Sequence, residues 1–243
     1  MTGVLLQIAL GLASGSVVGF SLGLIGGGGS ILAVPLMIYL VGVPEAHVAI
    51  GTSAVAVGVN AAANLAQHAR RGTVKWRCAG VFAATGVVGA FAGSTLSKWM
   101  DGQRLLVLFA LLMFAVGASM LRPRPDTGGE SVELSRQNFS KLLSLGFLTG
   151  LLSGFFGIGG GFLIVPGLML ATGMPILNAI GSSLVAVAAF GLTSAANYAA
   201  SGLVDWALAG IFIAGGVLNI AFACVIFTVA AYMLVRSLGL AGA

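Results

Sequence analysis

LLSLGFLTGLLSGFFGIGGGFLIVPGLMLATGMPILNAIGSSLVAVAAFGLTSAANYAASGLV, residues 142–204, contains no Asp, Glu, Lys or Arg. A helix that crosses a bilayer needs about 20 mainly apolar residues, so this run is long enough for three. Met1–Pro44, Ala46–Ala69, Cys78–Ser97 and Trp206–Val235 are free of the same four residue types. Over the 243 residues 58% are hydrophobic and 7% charged, and the mean hydropathy is +1.09. A soluble domain carries about 25% charged residues, so this chain lacks the polar surface to face water. Its apolar content exceeds that of alternating barrel strands. An all-α polytopic membrane protein is expected, with the lipid bilayer as its surroundings.

The charge pattern removes other classes. The net charge is +5, yet the basic residues stand in short gaps between apolar runs, where cytoplasmic loops collect Lys and Arg. No basic domain exists for nucleic acid to meet, so no nucleic-acid partner is expected. Cys78 and Cys224 form no metal or redox pattern and read as small membrane-core residues. No metal or cofactor is expected, and no nucleophile–base constellation suggests an enzyme. The N-terminus has no basic region and its apolar sequence runs past any cleavage point, so no removable signal peptide is expected.

The chain repeats itself. Gly23-Leu-Ile-Gly-Gly-Gly-Gly-Ser-Ile-Leu-Ala-Val-Pro35 lies over Gly154-Phe-Phe-Gly-Ile-Gly-Gly-Gly-Phe-Leu-Ile-Val-Pro166 at an offset of 131. After a one-residue deletion the offset is 130: Ala49–Val57 matches Ala179–Val187, and Gly72–Trp76 matches Gly202–Trp206. Gly80, Phe82 and Gly86 then meet Gly210, Phe212 and Gly216. Ordered glycines, prolines and a tryptophan do not recur through biased composition. The expected organisation is a first membrane repeat over residues 1–121, a polar cytoplasmic linker over 122–140 and a second repeat over 141–243. Each copy has a long apolar run, a glycine cluster, a short segment containing Pro35 or Pro166, a turn at Gly42-Val-Pro44 or Gly173-Met-Pro175, and a long helix. The short pieces, 31–42 and 162–173, would cover about 18 Å as helix, less than the ~30 Å hydrocarbon core. They are half-helices or parts of spans that extend through the glycines. About eight transmembrane helices result, with Trp206–Val235 long for one span and short for two.

Arg70, Arg71, Lys75 and Arg77 form one basic loop, and Arg122, Arg124, Arg136 and Lys141 another two spans later. Both belong on the cytoplasmic side by the positive-inside rule. The counterpart of the first, Ala199–Trp206, has no Lys or Arg and one acid, Asp205. This asymmetry favours two copies of opposite orientation, as in many secondary transporters.

The glycine clusters carry the first functional reading. A run of glycines leaves helical geometry cheaply, and non-helical backbone survives in hydrocarbon only where protein buries it or where it lines a cavity. A helix that starts just after such a break presents free N–H groups and a positive dipole end, which suits an anion. Gly26, Gly27, Gly28, Gly29 and Ser30 in one copy, with Gly157, Gly159, Gly160 and Gly161 in the other, are therefore candidate substrate-binding residues. Single glycines such as Gly19, Gly89 and Gly93 read as packing positions, since small residues line membrane helix interfaces. Ser53, Asn60, Asn64 and Gln67 share one helix face, with Ser183, Phe190, Ser194 and Asn197 at the equivalent places. Polar groups inside a membrane meet each other, water or a solute. Thr52, Ser53, Ser182 and Ser183, each just after a helix-start glycine, are the stronger candidates, followed by Asn60, Gln67 and Asn197. Interhelical hydrogen bonding is the competing reading, above all for Asn60 and Asn64. No charged residue lies deep in an expected span, so a midplane coupling carboxylate is missing. His68 is the candidate for proton coupling, although its place beside Arg70-Arg71 suits a loop histidine.

The two G-x-G-G-G-x-x-x-x-P signatures, Gly26–Pro35 (with Ser30 in place of the last glycine) and Gly157–Pro166, each precede a Gly-Thr/Ser-Ser helix. In this the chain resembles the TauE/SafE-type sulfite exporter family over nearly its whole length, less clearly after Gly216. The resemblance implies a multi-pass transporter, an exporter, in the cytoplasmic membrane of a prokaryote. It also implies a small sulfur-containing anion as substrate, such as sulfite, sulfoacetate or another organosulfonate. The residues themselves reach only to a transporter with two matched sites suited to an anion, opened alternately by rocking of one copy against the other. A passive anion channel and a non-catalytic membrane subunit of an enzyme complex remain as rival readings, and a homo-oligomer is admissible. Single cysteines at positions 73 and 203, in a background lacking Cys78 and Cys224, should label from opposite sides of the membrane. Labelling of both, or of neither, from outside contradicts opposed copies.

Overall fold

The computed structural model describes residues 2–120 and 136–218. Helices α1 (Thr2–Ile25), α3 (Ala46–Arg70), α4 (Trp76–Ser97), α5 (Gly102–Met120), α6 (Arg136–Phe156), α7 (Gly161–Thr172) and α8 (Ile176–Ala199) are regular. α2 (residues 26–40) is built of a 3-10 coil over Gly26–Leu32, one α turn at Ala33–Pro35 and a wider π turn over Leu36–Leu40. α9 is Trp206–Leu218. No strand occurs among the described residues. Five helical stretches are long and apolar enough to cross a membrane: Val4–Leu40, Ala46–Arg70, Trp76–Ser97, Asn138–Phe156 and Ile176–Ala199. Gly102–Ala118, Gly161–Thr172 and Trp206–Leu218 are shorter apolar helices. The chain is a polytopic helical membrane protein. Whether residues up to Val235 make one span or two lies outside the described residues, as do Cys224 and most of the expected linker, but α6 already begins at Arg136.

Contacts fix the helix directions. Gly51 of α3 lies against Tyr198 and Leu203, and Gly58 against Gly191 and Leu192, so α3 and α8 run antiparallel. The turn after each helix reaches the start of the other. Lys75 N donates to Ser182 Oγ at 2.9 Å, and Asp205 N to Thr52 Oγ1 at 3.0 Å. By contrast α4 and α6 are parallel, with Gly86 against Gly146 and Gly93 against Leu151. α1 and α9 are also parallel, with Gly15 against Phe212 and Gly19 against Gly216. The ends of α3 and the starts of α4, α6 and α8 therefore share one face. That face carries Arg70, Arg71, Lys75, Arg77, Arg136 and Lys141. The opposite face carries Glu45, Lys98, Asp101, Arg104 and Asp205.

Small residues make these packings possible. Lipid tails are as apolar as leucine, so helices associate in a membrane through close van der Waals contact. Gly11, Gly15, Gly19 and Gly23 line α1 at four-residue spacing, as Gly146, Gly150 and Gly154 line α6. At Gly15, Gly19, Gly89, Gly93, Gly150 and Gly154 an added Cβ would strike the backbone of the neighbouring helix. Gly19, Gly89 and Gly93 are thus packing positions, as expected. Many large apolar side chains point outward, Phe114 at 78% exposed and Leu5 at 65% among them. Trp76 and Trp99, at the two ends of α4, are 57% and 82% exposed, where aromatic residues mark membrane–water boundaries.

Gly150→Ala should push α6 off the α4 backbone at Gly86 and destabilise the protein by about 1–3 kcal/mol. Gly80→Ala should be neutral or mildly stabilising, because nothing lies within 4 Å of the added methyl and alanine is the better helix former. Thermal unfolding in detergent separates the two; equal shifts would refute the packing described.

Candidate functional site

The two glycine clusters lie between α3 and α8 and reverse the chain. Gly26 has φ +67° and turns α1 back on itself, so that Gly29 of α2 packs on Ser21 and Leu22. At the matched place Gly157, Gly159 and Gly160 have φ +65°, +64° and +62°, a region in which side-chain-bearing residues are strained. Gly160 packs back on Ser153 of α6. The reversals come from opposite faces: Gly26 adjoins Ile180 of α8 and Gly157 adjoins Ile50 of α3. They meet where Gly27 touches Gly161, and a Cβ on either would strike the other's backbone. Gly159 stands between Val57 and Val187, near the midpoints of α3 and α8. Gly26, Gly27, Gly29 and Ser30 are buried, as are Gly157, Gly159, Gly160 and Gly161, while Gly28 is half-buried.

The two reversals are not alike, which corrects the expectation of two equal breaks. Gly26–Leu32 runs on as a 3-10 coil into α2, whereas residues 157–160 form an open turn before α7. Ser30 Oγ donates to Gly27 O at 2.7 Å and tightens the first coil. Its counterpart Gly161 has no side chain to do so. In α7 the amides of Leu163 and Ile164 both close on Gly160 O, at 2.9 and 3.1 Å. The amides of Gly161 and Phe162 precede that closure, in the turn that every helix start leaves unpaired. α7 is 12 residues long, with its N-cap Gly160 left-handed.

The hydroxyls expected to hold an anion have other work. Ser53 Oγ donates to Ile50 O at 2.9 Å and to Gly157 O at 3.4 Å. Ser183 Oγ donates to Ile180 O at 2.7 Å and accepts from Gly27 N at 3.3 Å. Each of these serines pins the glycine reversal of the other half. Thr52 and Ser182 hold the turns of the other half through Asp205 N and Lys75 N. They sit toward the faces because the helix starts they follow do.

The polar stripe does not converge on the glycines either. Asn64 Nδ2 donates to Asn60 O at 2.9 Å, so Asn64 serves its own helix. Asn60 is fully buried beside Gly216, and both ends of its amide lack a partner. Gln67 is half-buried in the last turn of α3. His68 lies next to it, with Nδ1 3.1 Å from Thr73 Oγ1 and Nε2 3.5 Å from Gly23 O. Asn197 binds across to α4, donating to Ser94 Oγ at 2.7 Å and Thr95 Oγ1 at 2.9 Å.

Sequence reasoning missed Lys98. Its ammonium donates to Asn197 Oδ1 at 2.9 Å, Ser201 Oγ at 2.8 Å and Asn197 O at 3.1 Å. Tyr198 Oη donates to Ser97 Oγ at 2.9 Å beside it. This clamp joins α4 to α8 on the face opposite the basic loops. The signal in the sequence was a single Lys between Ser97 and Trp99 at the end of an apolar run.

Comparison with known proteins adds to this geometry. The family model described as Sulfite exporter TauE/SafE matches residues 11–229. A probable membrane transporter protein of Xylella fastidiosa is 51% identical over 93% of this chain and 94% of its own length. The probable membrane transporter protein YdhB of Bacillus subtilis is 27% identical, covering 78% of each chain. A probable membrane transporter protein of Haemophilus influenzae is 29% identical over 80% of this chain and 75% of its own. No solved structure matches.

Ser183→Ala should strand the buried Gly27 amide and cost about 1–3 kcal/mol. Ser144→Ala, which removes an exposed hydroxyl bonded within its own helix, should be near neutral. Unfolding midpoints in detergent test the pair, and a harmless Ser183→Ala contradicts the pinning role.

Proposed function

The chain belongs to the sulfite exporter TauE/SafE family, and from that membership we propose that it exports a small sulfur-containing oxyanion, sulfite or an organosulfonate, by alternating access. That it is a membrane transporter follows from the family; the substrate, the direction and the mechanism are our reading. The observation that carries the reading is the open turn at Gly157–Gly160. Three left-handed glycines there, buried just before the Gly27–Gly161 contact, take backbone amides out of the helical ladder near the midpoints of α3 and α8. Amides so placed attract an anion without the desolvation cost of a buried Lys or Arg. Ser53 and Ser183 act by holding the two reversals in place rather than by touching the solute.

Alternating access needs two halves that exchange faces. We read the chain as a duplication with opposed copies because its contacts come in matched pairs. Gly15 on Phe212 answers Gly146 on Phe82, and Gly19 on Gly216 answers Gly150 on Gly86. Thr52 with Asp205 answers Ser182 with Lys75. The antiparallel course of α3 and α8, equivalent helices in the two copies, favours inversion. Rocking would open the Lys98–Asn197 clamp on one face and the Lys75–Ser182 contact on the other. The cations gathered on one face support reading it as cytoplasmic by the positive-inside rule, and the bacterial relatives support the inner membrane of a prokaryote. A monovalent or divalent anion leaves such a cell downhill, at about 2.3 kcal/mol per charge per 100 mV.

Protein reconstituted into liposomes should take up radiolabelled sulfite with saturable kinetics and respond to an imposed potential. Gly159→Val places a β-branched residue at φ +64° between Val57 and Val187. It should reduce flux to below about a tenth, given the 1–3 kcal/mol strain of such a position, while the protein still inserts. Unchanged flux would reject the site, and non-saturating flux with unitary currents would make the protein a channel.

A further inference from the structure

Hydroxyls on membrane helices commonly bond back to a carbonyl of their own helix, and several here do. Thr149 Oγ1 donates to Leu145 O at 2.7 Å, Thr172 Oγ1 to Leu168 O at 2.7 Å and Thr193 Oγ1 to Ala189 O at 2.7 Å. Ser153, one turn beyond Thr149 on α6, does not. It is fully buried and its Oγ has no partner, at a position where an unmet hydroxyl is costly. Ser14, Asn60 and Ser194 are also buried without partners, but what marks Ser153 is its neighbour. A Cβ on Gly160, the N-cap of α7, would stand 3.0 Å from Ser153 Oγ. The hydroxyl is thus held against the helix start whose Gly161 and Phe162 amides precede the first closed bonds.

We propose that Ser153 is a substrate-binding residue: its hydroxyl and the first amides of α7 form one binding pole for the –SO3 group of sulfite or a sulfonate. Three donors, one hydroxyl and two amides, meet the three oxygens such a group presents. The pole is single. Under the 131 offset the counterpart of Ser153 is Leu22, buried and without a donor, and the coil beside it continues unbroken into α2. The two halves thus share a hinge design but divide the labour, the second binding the anion and the first closing over it through Gly27. This deepens the transporter reading and rests on it.

Purified full-length protein is tested with sulfite alone as probe. The wild type should gain thermal stability with rising sulfite, bind one sulfite per chain in equilibrium dialysis, and show saturable uptake. Ser153→Ala should raise KM and the dissociation constant about tenfold or more, as loss of a hydrogen bond to an anion implies. Its melting point without sulfite should stay at or above that of the wild type, a result a merely structural serine would not give. Ser153→Thr, which keeps the hydroxyl, should bind within a few-fold of wild type. Leu22→Ala should leave the affinity unchanged. Wild-type affinity in Ser153→Ala, or two sulfites bound per chain, overturns the inference alone. A wild type that neither binds nor carries sulfite overturns both the inference and the substrate reading beneath it.

Discussion

Two peptide segments touch at Gly27 and Gly161, and the rest of the structure is arranged to let them. Neither residue tolerates a side chain, since a Cβ on one would occupy the backbone of the other. In hydrocarbon, backbone leaves helical pairing only where protein encloses it and its groups find partners. Four long helices supply that enclosure here, with Val57 and Val187 flanking the turn and Ser53 and Ser183 bonding across to the opposite reversal. The contact also explains why α2 and α7 are short. Each begins where the reversals meet rather than at a membrane face.

Polar side chains in this protein divide by what they hold. Thr52 and Ser182 keep two surface turns seated on the starts of α3 and α8. Lys98, Asn197 and Ser201 tie α4 to α8 at one face through neutral oxygens. Such bonds are worth only about 0.6–2 kcal/mol each in a membrane, weak enough to exchange during a rocking motion. The close glycine seams of α1 with α9 and of α4 with α6 are of another kind, backbone against backbone, and each joins one copy to the other.

Much of this was legible in the sequence because it depends on local composition. Uncharged runs announce helices in lipid, and Gly42 and Gly173 beside prolines announce turns; both have left-handed φ, +83° and +68°. The glycine clusters were recognisable as breaks for the same reason, though not as reversals of the chain. Ser30 at the position of Gly161 was also visible, but not its effect. Only the bond from Ser30 Oγ to Gly27 O shows why the first reversal stays coiled while the second opens. The polar stripe is a different case. Helical periodicity places Ser53, Asn60 and Gln67 on one face, yet what each residue meets depends on which helix happens to lie opposite.

Taken alone, then, the order of residues determined the helical membrane class, the repeated pattern and the places where the chain must turn. Those features follow from solvation and from backbone conformations available to glycine, which act within a few residues. The tertiary structure decided that α3 and α8 run antiparallel, that Ser53 and Ser183 bond across to the opposite reversals, and that Ser153 stands unpaired beside a helix start. Those outcomes join residues 104 to 156 positions apart or depend on how one helix folds back upon another. Side-chain identity does not encode such encounters until packing brings the partners together.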